Sequence, residues 1–279
     1  MRILALDFDG VISDSAPEAF VIALRTYIEL LGPGETPLAA DLDALEAGGL
    51  DRGTVIRSSL YADFVEAMPL GNGAVDFAVE LTALERGDPL RDQQDYDAYK
   101  EALLAARPEF AVAFRERFYR LRREFASRDV RGWLAMMAPY PDFVSVLRRR
   151  ASARDLAIAT AKDFTSVRQL LRHYALAGLF LEERVLDKET GVSKRAHLSE
   201  LSRRLDVPLE RIVFVDDKVN HLEDVQSLGV RPVLAAWGYN GPREQSRARA
   251  CGFEVCDLAD AERVLFDAIE LPSHGFGGL

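Results

Sequence analysis

Two aspartates separated by one residue follow the first apolar segment of the chain. Residues 3–6 are Ile, Leu, Ala and Leu, and Asp7 and Asp9 come directly after them. Such a run is typical of a strand buried on both faces of a parallel sheet. Side chains two positions apart on an extended chain point the same way, so the carboxylates would lie side by side. Their repulsion favours a bound cation, and hard oxygen ligands suit Mg²⁺. A strand followed by an acidic turn is the alternative, since Asp is also an ordinary turn residue.

Two later segments carry groups that could hold a phosphate. Thr160 ends a predicted strand, and the backbone from Ala161 leads into a helix, where a hydroxyl and free amides form a phosphate cradle. Lys194 opens another predicted helix and offers a compact positive charge that suits phosphate. Lys188 is the fallback for this role, but it lies within a turn, so Lys194 is preferred.

A second carboxylate pair follows another predicted strand. Asp216 and Asp217 come directly after the apolar residues of strand 211–215. In an open α/β sheet, ligands bind outside the carboxyl ends of the strands. We therefore expect the two acidic pairs, the threonine and the lysine to converge on one site, although each alone could be an ordinary turn or helix start.

Composition limits the classes of function. The chain has 279 residues, 48% of them hydrophobic, and a net charge of −10. This charge argues against general nucleic-acid binding and a membrane-surface footprint. No apolar run approaches the ~20 residues that span a bilayer, and the first one is interrupted by Asp7 and Asp9, so no signal peptide is expected. Two cysteines are too few for a disulfide framework or a zinc site, which predicts a cytoplasmic protein.

Periodicity predicts a doubly wound parallel sheet (a Rossmann-like α/β core) with an all-helical insertion, because strands alternate with helices only in part of the chain. The predicted domains are an α/β core of residues 1–14 and 139–272, a helical insertion of residues 15–138, which the resemblance given below identifies as a cap domain, and a flexible tail of residues 273–279. Ser15 and Glu18 form a predicted capping box at the first helix. The predicted helices are 15–31, 39–47, 51–68, 73–86, 93–106, 108–127, 130–137, 141–150, 163–177, 194–205, 220–228 and 259–269. The predicted strands after the first are 155–160, 183–186, 211–215, 231–236 and 253–255.

The motifs together resemble the haloacid dehalogenase superfamily of phosphotransferases. The resemblance covers the first ~15 residues and the chain from about Pro139 onward. Residues 139–142 and 237–240 look like the phosphoglycolate-phosphatase-like branch, whose helical cap also lies between the first and second motifs. One position departs from the pattern: His221 stands where relatives often have an acidic residue or Asn. The four matching motifs are Asp7-Phe8-Asp9-Gly10-Val11, Thr160, Lys194 and Phe214-Val215-Asp216-Asp217.

The resemblance implies a role for each matching residue. Asp7 would attack phosphorus and become an aspartyl phosphate, and Asp9 would act as acid and base. Mg²⁺ would bind Asp7, the backbone carbonyl of Asp9, and Asp217. The substrate phosphate would bind Thr160, Ala161 and Lys194, with Asp216 in a supporting role.

These observations favour a Mg²⁺-dependent phosphatase of a small phosphorylated metabolite, with no nucleic-acid or membrane partner. A sugar-phosphate mutase has the same motifs, and a non-catalytic phospho-ligand-binding protein is the alternative from another class. A haloacid dehalogenase is disfavoured, because carbon–halogen cleavage needs no metal. The arginines of segment 115–131 are mainly expected on a solvated helix face, with one or two as candidates for the cleft. Arg52, Arg57 and Tyr61 are further candidates of the cap, and Trp237 could line the cleft or join the core.

Overall fold

The computed structural model describes residues 3–71, 73–150, 155–191 and 193–267. The expected tail, residues 273–279, lies outside the described residues. Six parallel strands form the central sheet in the order β5-β4-β1-β6-β7-β8. This confirms the expected α/β fold class. The strands of the sheet are β1 (Ile3–Leu6), β4 (Asp155–Ala159), β5 (Val185–Leu186), β6 (Ile212–Asp216), β7 (Arg231–Ala235) and β8 (Glu254–Cys256).

Both faces of the sheet are buried, which explains the continuous apolar runs of its strands. In β1, Leu4 and Leu6 pack into the core on one face, whereas Ile3 and Ala5 pack into a separate core on the other. This alternation follows from the two-residue period of a strand. The helices that follow the cap segment are α9 (Pro141–Arg150), α10 (Phe164–His173), α11 (Lys194–Leu205), α12 (Val219–Gln226) and α13 (Pro242–Ala250).

The described part of segment 15–138 is mainly helical and has its own apolar core, in which Phe20, Phe64 and Phe114 are fully buried. Helix α1 packs along the longest helix of the segment, α7. The predicted helix 51–68 is instead two helices, because the chain breaks around Arg57 and Ser58. The helices of this segment are α1 (Ala16–Leu31), α2 (Leu38–Ala47), α3 (Arg52–Ile56), α4 (Ser59–Ala67), α5 (Ala74–Arg86), α6 (Gln93–Ala106), α7 (Pro108–Arg128) and α8 (Val130–Ala135).

A short antiparallel pair of strands joins the helical segment to the sheet. Strand β2 (Ser13–Asp14) pairs with β3 (Ala138–Pro139), so the chain leaves and re-enters the core at one place. The predicted capping box at the start of α1 is wrong, because the Ser15 side chain makes no cap hydrogen bond there. Instead the hydroxyl of Tyr239 accepts hydrogen bonds from the backbone amides of Ser15 and Ala16.

Two further expectations concern the end of the chain and membrane-spanning helices. The predicted helix 259–269 is a π-helical turn at Arg263–Asp267, and its last two residues lie outside the described ranges. In the described part of the chain, no helix has the length and apolar character needed to cross a membrane.

Candidate active site

The register of the central strands brings the predicted site residues together. Leu6, the last residue of β1, lies level with Ile158 of β4 and Val215 of β6. Asp7 therefore emerges beside the ends of both neighbouring strands, and its amide donates to the carbonyl of Val215 at 2.9 Å. The end of β1 is thus flanked by Thr160 on one side and by the second acidic pair on the other.

Lys194 lies between the two acidic pairs. Its ammonium nitrogen is 2.7 Å from Asp7 Oδ1 and 3.2 Å from Asp216 Oδ2, and it donates to the carbonyl of Ala159 at 2.7 Å. The lysine is the first residue of α11, whose N-cap is the side chain of Ser193. Burial alone would lower the pKa of Lys194, but the charges of Asp216 and Asp7 outweigh burial and raise it.

Asp216 is fully buried and is contacted by three donors. Besides Lys194, the amide of Lys218 donates to Oδ1 at 2.9 Å, and Nδ1 of His221 lies 3.1 Å from each carboxylate oxygen. Although burial raises the pKa of the Asp216 carboxyl, the charges of His221 and Lys194 hold it well below its usual range. Asp216 is therefore a fixed anion that orients Lys194 and His221.

Asp217 lies directly under the loop that follows β1. The amide of Tyr239 donates to its Oδ2 at 2.8 Å, and Asn240 Nδ2 donates to its carbonyl at 3.1 Å. Gly10 has a positive φ of 82°, and a Cβ there would clash with the Asp217 carboxylate, whereas a Cβ at Gly238 would clash with the Asp217 Cβ and the Gly10 carbonyl. Both glycines are therefore required for the close approach of these loops. Burial and the charges of Asp216 and Asp7 raise the pKa of Asp217 well above its ordinary value.

Asp9 faces the cavity more openly than the other acids. Its side chain is 35% exposed, and Lys162 Nζ lies 3.2 Å from Oδ1. The hydroxyl of Ser15 donates to the same oxygen. The side chain of Asp9 is thus held between the segment that follows β4 and the start of α1.

Thr160 and Ala161 lie at the end of β4, on the cavity wall. Thr160 is buried, and its hydroxyl oxygen accepts a hydrogen bond from the Lys162 amide at 3.2 Å. The chain then enters α10 through Asp163, whose carboxylate caps the helix by accepting from the Ser166 amide at 2.9 Å. This arrangement matches the expected strand end followed by a helix start.

The acidic side chains fit a hard divalent cation. Burial raises the pKa of Asp7 to about 6, although Lys194 opposes this shift. Asp7 and Asp217 are therefore buried carboxyls that a cation would help to ionise. A second set, Asp7, Asp216 and His221, has ligand atoms within 4.8 Å of one another, but Asp216 already accepts from three donors. The carboxylate oxygens of Asp7 and Asp217 are therefore more available to a divalent cation than those of Asp216.

The cavity above these residues has a volume of about 510 Å³. It is bounded by the strand ends and by the helices of the segment between β1 and β4. From the arginines of segment 115–131, Arg122 lines it, whereas Arg117 pairs with Glu29. Arg52 pairs with Asp14 at 2.5 Å.

Lys188 and Trp237 were also considered from the sequence as residues of the site. Lys188 lies at the cavity but its side chain is 45% exposed, and its nearest ion-pair partner is Glu189 at 3.8 Å. Trp237 packs against the ring of Phe143, with centroids 4.9 Å apart, and donates to the carbonyl of Val11 at 3.0 Å. Trp237 therefore belongs to the core.

The sequence analysis assigned no role in the site to three side chains that lie at it. Lys162 lies two residues beyond Thr160, and this spacing after a strand end was a signal that could have found it. Ser15 was assigned to a helix cap, and its contact with Asp9 depends on the tertiary fold. Lys218 donates to the carbonyl of Met68 at 2.7 Å and so links the loop after β6 to the helical segment. Sequence spacing carries no signal for that long-range contact.

Comparisons with known proteins identify a family and a fold. The family model for haloacid dehalogenase-like hydrolases matches residues 1–229. The tyrosine-protein kinase PtkA of Mycobacterium tuberculosis (strain ATCC 25618 / H37Rv) is 27% identical over 214 residues, 74% of this chain. The match spans 65% of that kinase, slightly less than two thirds of its length.

Solved structures show the same fold. A predicted phosphoglycolate phosphatase from Haemophilus somnus superposes with a TM-score of 0.59 at 18% identity, covering 95% of this chain and 98% of that one. A haloacid dehalogenase-like hydrolase from Streptococcus pneumoniae superposes with a TM-score of 0.58 at 13% identity, covering 96% and 99%. At these identities the similarity extends to the fold alone.

Proposed function

Because the chain belongs to the haloacid dehalogenase-like hydrolase family, we propose that it is a Mg²⁺-dependent phosphatase. Its substrate is a small phosphorylated metabolite, and the reaction proceeds through an aspartyl phosphate on Asp7. The observation that carries this proposal is the position of Lys194, 2.7 Å from Asp7 and beside the end of β4. A carboxylate nucleophile needs such a cation next to it, because it must approach a phosphate of the same charge.

In the first step, an oxygen of Asp7 attacks phosphorus and the bond to the leaving oxygen breaks. Asp9 gives its proton to that oxygen, so the alcohol leaves neutral. The side chains of Thr160 and Lys194 and the Ala161 amide bind the transferring phosphate oxygens. Asp216 acts as a positioning residue, since its buried carboxylate lies 3.2 Å from the ammonium group of Lys194.

In the second step, water attacks the phosphorus of the aspartyl phosphate. Asp9, now ionised, takes a proton from that water, and the bond between phosphorus and the Asp7 oxygen breaks. Inorganic phosphate leaves and both carboxyls return to their starting states. Lys162 and Ser15 position Asp9 for both transfers.

In this proposal, Asp7, the backbone carbonyl of Asp9, and Asp217 would hold Mg²⁺. When bound, it neutralises negative charge on the transferring phosphoryl group. The short loops around Gly10 and Gly238 support this assignment, because they bring the Asp217 carboxylate against the loop after β1.

We assign residues 15–138 to a cap domain and residues 1–14 and 139–272 to the catalytic core. The β2–β3 pair supports this division, since both crossings of the chain lie there. Cys251 and Cys256 are free thiols, which supports a reducing compartment such as the cytoplasm.

The experiment compares Asp7→Asn with Asp9→Asn, two isosteric changes, on p-nitrophenyl phosphate. Asp7→Asn removes the nucleophile, so we expect turnover at background. Asp9→Asn keeps the nucleophile and loses proton transfer, which is typically worth ~10²–10⁴-fold. The activated leaving group needs little protonation, so the phospho-enzyme should form quickly and accumulate, as rapid-quench mass spectrometry of the Asp7 peptide would show. Chelator should abolish turnover of the wild type.

Other outcomes contradict specific parts of the proposal. Phosphate found on Asp9, or near-normal turnover by Asp7→Asn, would refute the assigned nucleophile. Full turnover in metal-free buffer would refute the role of Mg²⁺. Dependence on a bisphosphate activator with little net phosphate release would indicate a mutase. Absence of both turnover and phospho-enzyme would indicate a non-catalytic phospho-ligand-binding protein.

Phosphoryl transfer to a protein tyrosine is a second candidate, favoured by the similarity to the kinase PtkA. An aspartyl phosphate can pass its phosphoryl group to a hydroxyl instead of water. Incubation with γ-labelled ATP and a tyrosine-containing peptide separates the two functions. The phosphatase proposal expects label only in inorganic phosphate, whereas the kinase alternative expects label on the peptide.

A further inference from the structure

The cap side of the cavity is mainly apolar and aromatic. Among the described residues that line the cavity, those of segment 15–138 include Met68, Phe77, Phe118 and Tyr119. The rings of Phe77 and Phe118 lie 5.5 Å apart with an interplanar angle of 50°. Phe77 is half-buried, so part of its ring remains accessible from the cavity. This surface faces the space that the leaving group of a phosphomonoester must occupy.

Arg122 is the one cation that segment 15–138 contributes to the described cavity lining. It is already paired: Nε and Nη2 donate to the two carboxylate oxygens of Glu18 at 2.8 and 2.6 Å. Glu18 is fully buried and also accepts from Trp133 Nε1 at 3.3 Å. A buried carboxylate held in this way keeps its counter-charge, because separating the pair would leave an uncompensated charge in the interior.

The Arg122–Glu18 pair therefore presents a flat polar surface with no net charge. Its guanidinium carbon lies 4.6 Å from the centroid of the Phe118 ring, so the paired group stacks on the aromatic wall. An anionic leaving group would find no uncompensated cation on this side of the cavity. An aromatic ring, in contrast, would contact Phe77 and Tyr119 and lie near the guanidinium.

Three of the four lysines that line the core side of the described cavity are committed elsewhere, and the fourth, Lys188, is 45% exposed and lies 3.8 Å from Glu189. Lys194 and Lys162 lie on Asp7 and Asp9, where the transferring phosphate binds. Lys218 donates to the carbonyls of Met68 and Gly71. A second negative charge on the substrate would have to compete with these contacts.

We propose that the leaving group of the substrate is an uncharged aromatic alcohol, rather than a small hydroxy acid. This inference rests on the proposed phosphatase function and specifies the chemical class of its substrate. Phe77 and Tyr119 bind the ring, the buried Phe118 packs behind both of them, and the neutralised Arg122 gives no advantage to a carboxylate.

The test uses two non-hydrolysable ligands, so it does not depend on turnover. Benzylphosphonate carries a ring beside its phosphonate, and phosphonoacetate carries a carboxylate. Calorimetry with Mg²⁺ should show benzylphosphonate binding about 10-fold or more tightly than phosphonoacetate. Hydrolysis of benzyl phosphate and phosphoglycolate, two unactivated alkyl phosphomonoesters, should show the same preference in kcat/KM.

Single variants test which residues cause the preference for the aromatic ligand. Phe77→Leu should weaken benzylphosphonate binding several-fold and leave phosphonoacetate unchanged. Phe110→Leu is the control, because Phe110 is also half-buried in the same hydrophobic cluster but is not among the described residues that line the cavity. Glu18→Gln should strengthen phosphonoacetate binding about 10-fold, since it releases the charge of Arg122.

The outcomes separate this inference from the proposed function. Equal or tighter binding of phosphonoacetate by the wild type, or failure of both phosphonates to bind, would overturn the aromatic substrate class. Equal effects of Phe77→Leu and Phe110→Leu would also overturn it. Absence of hydrolysis and of a phospho-enzyme, with the binding preference intact, would refute the phosphatase function alone.

Discussion

Replacing Lys194 by methionine should destabilise the protein strongly as well as inactivate it. The ammonium group lies 2.7 Å from Asp7 and 3.2 Å from Asp216, and the side chain is only 6% exposed. At an effective dielectric constant of ~20, these distances correspond to about 5–6 kcal/mol of attraction for each pair, before desolvation. Removing one partner from a buried ion pair typically destabilises by ~3–5 kcal/mol, because the remaining charge is uncompensated. Because two carboxylates lose their partner, we expect Lys194→Met to lower the free energy of unfolding by about 5 kcal/mol.

The stability lost on Lys194→Met should depend on pH and should be larger at high pH. Burial raises the pKa of Asp7 from an ordinary value of 3.8 to about 6, so ionisation of Asp7 opposes folding and stability falls as the pH rises through this range. Loss of the lysine raises this pKa further in the variant. The variant therefore continues to lose stability above pH ~6, where the wild type does not. Below that pH Asp7 is protonated, so the stability lost in Lys194→Met should shrink to the part caused by Asp216. Asp216 stays ionised there, because its pKa is held below its usual range.

Urea unfolding in chelator, followed by far-UV circular dichroism from about pH 5 to pH 8, measures both effects. Lys188→Met is the matched control. Its side chain is 45% exposed and has a partner at 3.8 Å, so we expect a change below ~0.5 kcal/mol. A Lys194→Met variant within ~1 kcal/mol of wild type, or a deficit that does not change with pH, would refute this account of the buried ion cluster.

Three further predictions concern the proposed metal site around Gly10 and Asp217 and the contact between Lys218 and Met68. Gly10→Ala should abolish Mg²⁺ binding measured by calorimetry, because its Cβ would displace Asp217, whereas Gly252→Ala, with a φ of 77° and no close neighbour, should leave binding intact. Asp217→Asn should weaken Mg²⁺ binding at least ~10-fold, and in the wild type affinity should rise with pH, because burial raises the pKa of Asp217 and Mg²⁺ must displace a proton. Calorimetry in buffers of different ionisation enthalpy would detect that proton, and its absence would contradict the assignment. Lys218→Met should speed hydrogen exchange in the turn around Met68, and unchanged exchange would show that this contact does not hold the turn.

The sequence was sufficient for the parts of the fold that depend on local patterns. The apolar runs and their alternation with helices predicted the parallel sheet, since both faces of these strands are buried. The same patterns placed Asp7, Thr160 and Asp216 at strand ends, and the structure brings them together. The family suggested by these motifs is confirmed by the family model.

Expectations failed where tertiary contacts override local preference. The helix predicted through Arg57 is broken there, although no proline or glycine marks the break. Ser15 has the right spacing for a capping box, but its hydroxyl donates to Asp9, and Tyr239 takes over the cap from more than 220 residues away. Spacing along the chain cannot reveal such partners, because they depend on how distant segments meet.

These long-range contacts connect the position of the cap to the proposed acid–base residue. Arg52 of α3 pairs with Asp14, and Asp14 accepts a hydrogen bond from the Tyr239 hydroxyl at 3.0 Å. That hydroxyl accepts from the amide of Ser15, whose side chain donates to Asp9. A movement of α3 relative to the core would therefore act on the residue that holds Asp9. Because proton transfer depends on sub-ångström placement of the carboxyl, we expect the position of the cap to affect the chemistry proposed for Asp9.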